Sequence, residues 1–179
     1  MLERLLKSNS NIVLVGFMGT GKTSIGKRLS SHLRMRYIDT DNVIERDSQR
    51  WISDIFAQDG EEAFRDLETE AVIKVSKLRN HVISTGGGVV LRDNNISILK
   101  EYGIVFCLTA TPEEIFRRIG HQTHRPLLRT DDPMETIRNM LDSRAPFYAK
   151  ADFMVDTTDK SFGDVISHIK GIYNNTISS

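Results

Sequence analysis

A single cysteine among 179 residues rules out an internal disulfide, so the chain has to fold on its own core. That residue, Cys107, lies in the apolar run Ile104-Val105-Phe106-Cys107-Leu108 and reads as a buried packing residue in a reducing compartment. Neither sign of charge is in excess. Lys plus Arg and Asp plus Glu both number 24, so no global field draws the protein to nucleic acid or an anionic membrane, and any anion must be gripped locally. No apolar run approaches the roughly 18 residues that a bilayer crossing demands. The start, Met1-Leu2-Glu3-Arg4-Leu5-Leu6, lacks the long apolar stretch and small-residue cleavage site of a secretory signal. A cytoplasmic, monomeric protein is expected. Repeats, low-complexity tracts and interdomain linkers are missing as well, and residues 1–179 suit one α/β domain.

What is present is an alternation of short β-rich runs with segments of helical period. Residues 12–15, 36–39, 82–84, 104–108 and 153–155 read as strands, and five strands separated by helices imply a parallel sheet. Thr111-Pro112-Glu113-Glu114 has the form of a capping box, and Asp132-Pro133 opens a second helix over residues 134–144 that is expected to stop near Pro146. Between residues 59 and 78, Ala63, Phe64, Leu67, Ala71, Val72, Val75 and Leu78 recur at spacings of three and four, the apolar face of an amphipathic helix. Residues 120–131 lack such a period and read as a mobile loop carrying His121, His124, Arg125 and Arg129.

Gly16-Phe17-Met18-Gly19-Thr20-Gly21-Lys22-Thr23 satisfies GxxxxGK[ST], after one predicted strand and before one predicted helix. The glycines let backbone N–H groups turn inward around phosphate oxygens, and the helix start adds unpaired N–H groups. Lys22 would neutralise the β- and γ-phosphates and Thr23 would place its hydroxyl on a metal. Chance matches in a chain of this length number on the order of 0.01.

Phosphate loops serve switches, motors and kinases alike, so a second motif has to decide. No Asn-Lys-x-Asp guanine motif occurs, and the strand at 82–84 runs into Thr85-Gly86-Gly87-Gly88 with no acid at its end. Asp39 and Asp41 are the available carboxylates; two apart in an extended segment, both would face the phosphate loop, one for magnesium and one for an acceptor hydroxyl. A helix cap at Asp41 is the alternative. Three consecutive glycines suggest close approach of backbone to a ligand, with the N–H groups of Gly86, Gly87 and Gly88 as donors. Arg65 and Arg144 are candidates for gripping a substrate carboxylate, and Arg125 for reaching over the triphosphate.

The phosphate loop, Asp39-Thr40-Asp41, Gly60-Glu61 with Phe64-Arg65 and Glu68, Gly86-Gly87-Gly88, Arg125-Pro126-Leu127-Leu128 and Arg144-Ala145-Pro146-Phe147-Tyr148 occur in the order of the shikimate kinase family, which the chain resembles from about residue 11 to residue 157. The resemblance implies a nucleoside monophosphate kinase-like fold: three α/β/α layers on a five-stranded parallel sheet, a substrate-binding region at about 40–70 and a lid at about 119–131. It implies Mg²⁺-dependent transfer from ATP to the 3-hydroxyl of shikimate, with Asp41 binding the shikimate hydroxyls and positioning or deprotonating the attacking one, and Asp39 in the outer shell of magnesium beside Thr23. It further implies that Arg65 and Arg144 hold the carboxylate, that Gly86 to Gly88 meet the ring hydroxyls, and that Gly19, Thr20, Gly21, Lys22, Thr23 and Ser24 hold the nucleotide with Arg118 and Arg125. The segment Val155-Asp156-Thr157 resembles an adenine-binding loop. Trp51, unusual beside the substrate region, is expected to pack on the core. A kinase for another acidic metabolite such as gluconate, or an ATP-binding module without transfer, are the rival expectations.

Overall fold

Strand β1 (Asn11–Gly16) is buried along its whole length, with Ile12, Val13, Leu14 and Val15 entirely shielded from solvent. Such an uninterrupted apolar run belongs in the middle of a parallel sheet covered on both faces. In the computed structural model, which describes residues 10–119, 130 and 132–178, that is where it lies. β1 pairs in parallel with β3 (His81–Ser84) on one side and β4 (Gly103–Thr109) on the other. β2 (Arg36–Asp39) lies outside β3 and β5 (Phe153–Asp156) outside β4, giving the order β2-β3-β1-β4-β5. All five expected strands are present, each within a residue of its expected bounds.

The period of two along the strands sorts the core into halves. Val13, Val15, Ile83, Val105 and Cys107 face α2 (Thr40–Ser48), α3 (Ile52–Gln58), α4 (Gly60–Ser76), α5 (Asp93–Lys100), α6 (Pro112–Ile119) and α7 (Pro133–Tyr148). Ile12, Leu14, Val82, Phe106 and Leu108 face α1 (Lys22–Leu33) and α8 (Phe162–Ser178), through Ile25, Leu29, Val165, Ile166 and Ile169. The expected three layers follow. Cys107 is fully buried, and burial pushes its thiol up to about 12, so it packs and does not react.

Three expectations about the helices need correction. α7 does not stop before Pro146 but runs through it to Tyr148. The proline sits in the last turn on an exposed stretch, and the buried Tyr148, whose hydroxyl donates to Gly87 O at 2.8 Å, ties that turn down. At α6, Glu114 N–H donates to Thr111 Oγ1, but the Glu114 carboxylate turns to Arg117 and Arg118 and does not complete the box. Trp51 does not cover the core: it precedes α3 with 67% of its surface exposed. Asp132 behaves as expected, accepting from Glu135 N–H at 2.9 Å.

The order of the strands carries the chain to one side of β1 for β2 and β3, then across to the other for β4 and β5. The crevice of an open α/β sheet opens at that reversal, beyond the carboxyl ends of the strands. At the opposite end a buried side chain locks the frame. Asn11 Nδ2 donates to Leu78 O at 2.7 Å, its Oδ1 accepts from His81 N–H at 3.0 Å, and its backbone N–H reaches Tyr102 O at 2.9 Å. Asn11→Ala takes these partners from a half-buried N–H and a half-buried carbonyl, the latter still bonded by Arg79, and is expected to cost about 1–2 kcal/mol. Urea denaturation reads this as a lower midpoint at unchanged slope; an unchanged midpoint would show that the clamp contributes nothing net.

Candidate active site

The segment between β1 and α1 forms an open loop. Gly21 takes a φ of 96°, a left-handed conformation that side chains disfavour, and no side chain caps the helix that follows. The first N–H groups of α1 therefore point into the crevice together with the positive end of the helix dipole. Lys22 bends back over the loop and donates from Nζ to Gly16 O at 2.8 Å and Phe17 O at 3.0 Å, which sets its charge at the loop's mouth. Thr20 is fully buried and bonds Phe17 O at 2.7 Å, stiffening the loop from inside, whereas Thr23 and Ser24 stand exposed.

Arg118 braces this loop from the far side. Its guanidinium donates to Gly19 O (3.2 Å), Thr157 O (2.7 Å) and Thr157 Oγ1 (3.0 Å), and its Nε to Glu114 Oε1 (2.7 Å). Hydrogen bonds from Arg117, followed by those from Arg118, hold the Glu114 carboxyl below its ordinary range. Arg118, expected on the phosphates, lines the cavity and is held by the Gly19 and Thr157 carbonyls together with the Thr157 and Glu114 side chains.

Across the crevice, β2 ends in Asp39 and the chain turns at once into α2. The extended segment that sequence reasoning assumed for Asp39 to Asp41 is therefore not observed: Asp39 is the cap, its Oδ1 accepting from Asp41 N–H at 3.1 Å, and Asp41 lies in the first helical turn. Both carboxylates nonetheless line the same cavity, because the helix starts at the sheet's carboxyl edge.

Of the three N–H groups expected to donate to a ligand, that of Gly86 has a partner within the protein. Gly86 N–H is engaged by the buried Thr40 Oγ1 at 3.2 Å, and it is the carbonyl of Gly87 that acts outward, accepting from Tyr148 at 2.8 Å and from Arg144 Nη1 at 3.5 Å. Burial pushes the Tyr148 phenol up to about 12, so it remains a donor. The glycines make room. A Cβ on Gly86 would lie 2.8 Å from Glu68 Oε1 and 2.9 Å from Asp41 Oδ1, and one on Gly88 would run into the Arg65 guanidinium. Arg65, from α4, and Arg144, from α7, thus meet the same turn. Arg65 is no surface charge: its side chain is 11% exposed and pairs with the fully buried Glu68 at 2.8 Å and with Glu61 at 2.9 Å.

The phosphate loop, the acidic turn after β2 and the first two glycines of the triglycine line a cavity of about 760 Å³; Arg65 and Arg144 meet the glycine turn without lining it. One end is lined by Gly19, Thr20, Gly21, Lys22, Thr23 and Ser24 with Arg117, Arg118, Thr157 and Phe162; the other by Asp39, Asp41, Thr85, Gly86 and Gly87. Arg125, His121 and His124 lie outside the described residues. Sequence reasoning missed Phe162, an exposed aromatic at the nucleotide end, and Tyr37, whose hydroxyl bonds Asp39; neither falls in a motif.

Asp41 is the electrostatic centre of the crevice. Burial above all, then Asp39, Glu68 and Glu45, push its carboxyl up to about 7, against the opposing pull of Lys22. Its Oδ1 and Glu68 Oε1 are buried without a hydrogen-bond partner. A carboxylate of near-neutral proton affinity, facing a loop built for phosphate, is what a phosphotransferase needs to accept a proton from an alcohol. Fold and site together define a phosphate-loop kinase of the nucleoside monophosphate kinase-like architecture.

A family model for shikimate kinase matches residues 18–172. The shikimate kinases of Caldanaerobacter subterraneus subsp. tengcongensis and Geobacter metallireducens are each 47% identical, over 91% and 90% of this chain and 95% and 90% of their own. The solved shikimate kinase from Acinetobacter baumannii in complex with shikimate superposes with a TM-score of 0.88 at 32% identity, covering 97% of both chains. The chain belongs to the shikimate kinase family. A gluconokinase from Sinorhizobium meliloti 1021, at 13% identity and a TM-score of 0.57, shares the fold alone.

The raised Asp41 pKa fixes the sign of a stability effect. Between the ordinary carboxyl pKa of 3.8 and about 7, the folded chain holds a proton that the unfolded chain has released, so this group's contribution falls as pH rises through that window. Asp41→Asn is expected to melt several degrees above the parent at pH 8, from roughly 2–4 kcal/mol of relieved cost, and to differ little at pH 3.5. Equal melting temperatures at pH 8 would contradict the burial of an ionised Asp41.

Proposed function

We propose that the chain transfers the γ-phosphoryl group of ATP to the 3-hydroxyl of shikimate, the acceptor held at the Asp41 end of the cavity and the nucleotide at the phosphate-loop end. The observation that carries this reading is the continuous cavity from Lys22 to Asp41. The backbone N–H groups of residues 19–24 and the Lys22 ammonium take the phosphates. Asp41 receives the proton of the 3-hydroxyl as that oxygen bonds to the γ-phosphorus; the bond from the γ-phosphorus to the bridging oxygen breaks, and its electron pair leaves with ADP. Positioning and charge neutralisation supply most of the rate, since a loose transition state asks little of a base.

Thr23 and Asp39 suit Mg²⁺: an exposed hydroxyl and a carboxylate border the cavity, and among the described residues no cluster of three acidic, His or Cys side chains forms a protein cage. An ion held mainly by water and phosphate oxygens matches the preference of Mg²⁺. When bound, it neutralises charge on the transferring phosphoryl group. Arg65 and Arg144 are assigned to the shikimate carboxylate, with Glu68 fixing the orientation of Arg65. The Gly86 to Gly88 turn borders the ring hydroxyls, through shape and the Gly87 carbonyl more than through donated N–H groups. Arg118 serves the nucleotide by bracing the loop, while the role of Arg125 over the phosphates rests on its sequence motif alone. Residues 40–70 are assigned to the substrate-binding region; the expected lid at 119–131 lies, apart from residues 119 and 130, outside the described residues. Since one chain lines both ends of the cavity, the working unit is a monomer, and we place it in the cytoplasm; among the described residues no helix is long and apolar enough to cross a membrane.

Coupled ADP release with MgATP, compared for shikimate, quinate, gluconate and no acceptor, tests the assignment. Release is expected with shikimate alone, reduced about 10²–10⁴-fold in Asp41→Asn; equal release with gluconate would move the substrate elsewhere in the superfamily. For the carboxylate grip, Arg144 is a better probe than Arg65, whose loss would strand the buried Glu68. Arg144→Ala is expected to raise the KM for shikimate at least tenfold while the KM for ATP stays within about twofold, from a lost charge-assisted hydrogen bond. A rise in both would make the arginine a general structural element.

A further inference from the structure

We infer that Tyr37 is a positioning residue for the metal-side carboxylate, an assignment that rests on the reading of Asp39 as a group serving Mg²⁺. Tyr37 and Asp39 stand two apart on β2 and so share a face of the sheet, the one toward α1. The Tyr37 hydroxyl donates to Asp39 Oδ2 at 3.0 Å, while Asp39 Oδ1 is engaged by Asp41 N–H. Each oxygen of this carboxylate is thereby pinned by one donor and keeps a lone pair for a water of a hydrated ion. The phenol also faces the Thr23 and Ser84 hydroxyls, although Ser84 Oγ makes no hydrogen bond of good geometry. It stands between the two groups assigned to the metal.

The helix opposite is built around this ring. Gly26 occupies the turn of α1 that crosses Tyr37, and a Cβ there would fall 2.8 Å from Tyr37 Cε2 and 3.3 Å from Leu14 Cδ1. The ring reaches under the phosphate loop because residue 26 has no side chain. Phenylalanine would fill the same space, so what the hydroxyl adds is not packing; it is the hold on Asp39. A carboxylate acting through water loses rotational freedom on binding, and fixing it beforehand removes that cost.

The test uses Mn²⁺ as the probe, with free Mn²⁺ counted by electron paramagnetic resonance in the presence of ADP, for the full chain and for Tyr37→Phe, Asp39→Asn and the double variant. Calorimetric titration of ADP in EDTA gives the metal-free affinity and, from its stoichiometry, the folded fraction. Tyr37→Phe is expected to weaken Mn²⁺ binding about 3- to 10-fold, the range for one ordinary net hydrogen bond, with metal-free ADP affinity unchanged. In the Asp39→Asn background the same substitution is expected to have no further effect. Unchanged Mn²⁺ affinity in Tyr37→Phe, while Asp39→Asn weakens it, overturns the role of the phenol and leaves Asp39 in place. Additive losses overturn action through Asp39. If Asp39→Asn leaves Mn²⁺ affinity intact, the metal reading itself falls and takes the inference with it.

Discussion

Because β1 is paired on both edges and buried on both faces, its backbone can meet solvent only at its ends, and at the carboxyl end the chain order reverses. The phosphate loop, the acidic turn after β2 and the triglycine after β3 all open onto this one edge. Since the strands are in parallel register, their ends come out level: Leu14 lies opposite Ser84, and Ser84 opposite Asp39. The distance between the two ends of the cavity is thus a property of sheet geometry, fixed before any side chain is chosen. Specific residues then decide what the edge can hold.

The carboxylates there compete for a limited supply of positive charge. Asp39, Asp41 and Glu68 crowd the region around Gly86, and Lys22, Arg65 and Arg144 balance them unequally. Glu68 is bonded by Arg65 at 2.8 Å, a guanidinium it shares with the exposed Glu61, so burial raises its pKa against a strong opposing pull. Asp41 has a buried Oδ1 with no hydrogen-bond partner, and Lys22 offsets only part of the penalty of its burial. One buried acid is thereby kept as structure and its neighbour left as chemistry, which is how two like groups take different tasks in one site.

Much of this was legible in the residues, for reasons that can be separated. Strand positions were plain because buried parallel strands are written as apolar runs, and the phosphate loop because its glycines, lysine and threonine are close in sequence. The triglycine is crowded by the protein's own side chains, and that Thr40 would take Gly86 N–H depends on α2 beginning one residue after β2 ends. The end of α7 was misjudged because a local rule about Pro146 yielded to a tertiary contact, Tyr148 on Gly87, spanning 61 positions of sequence. Tyr37 was hidden for a similar reason. Its partner in space, Gly26, belongs to another element, and a glycine that leaves room for a ring looks the same in sequence as one that serves a turn.

Arg118 grips the phosphate loop and the turn after β5 largely through main-chain oxygens, those of Gly19 and Thr157. Every residue supplies such an oxygen, whatever its side chain. The brace therefore tolerates substitution on the far side of the contact, and the cavity-lining positions that follow, Asp159 to Phe162, can change side chain without slackening the loop. A junction whose partners are backbone atoms can thus persist as an architectural fixture while the surface around it is rewritten.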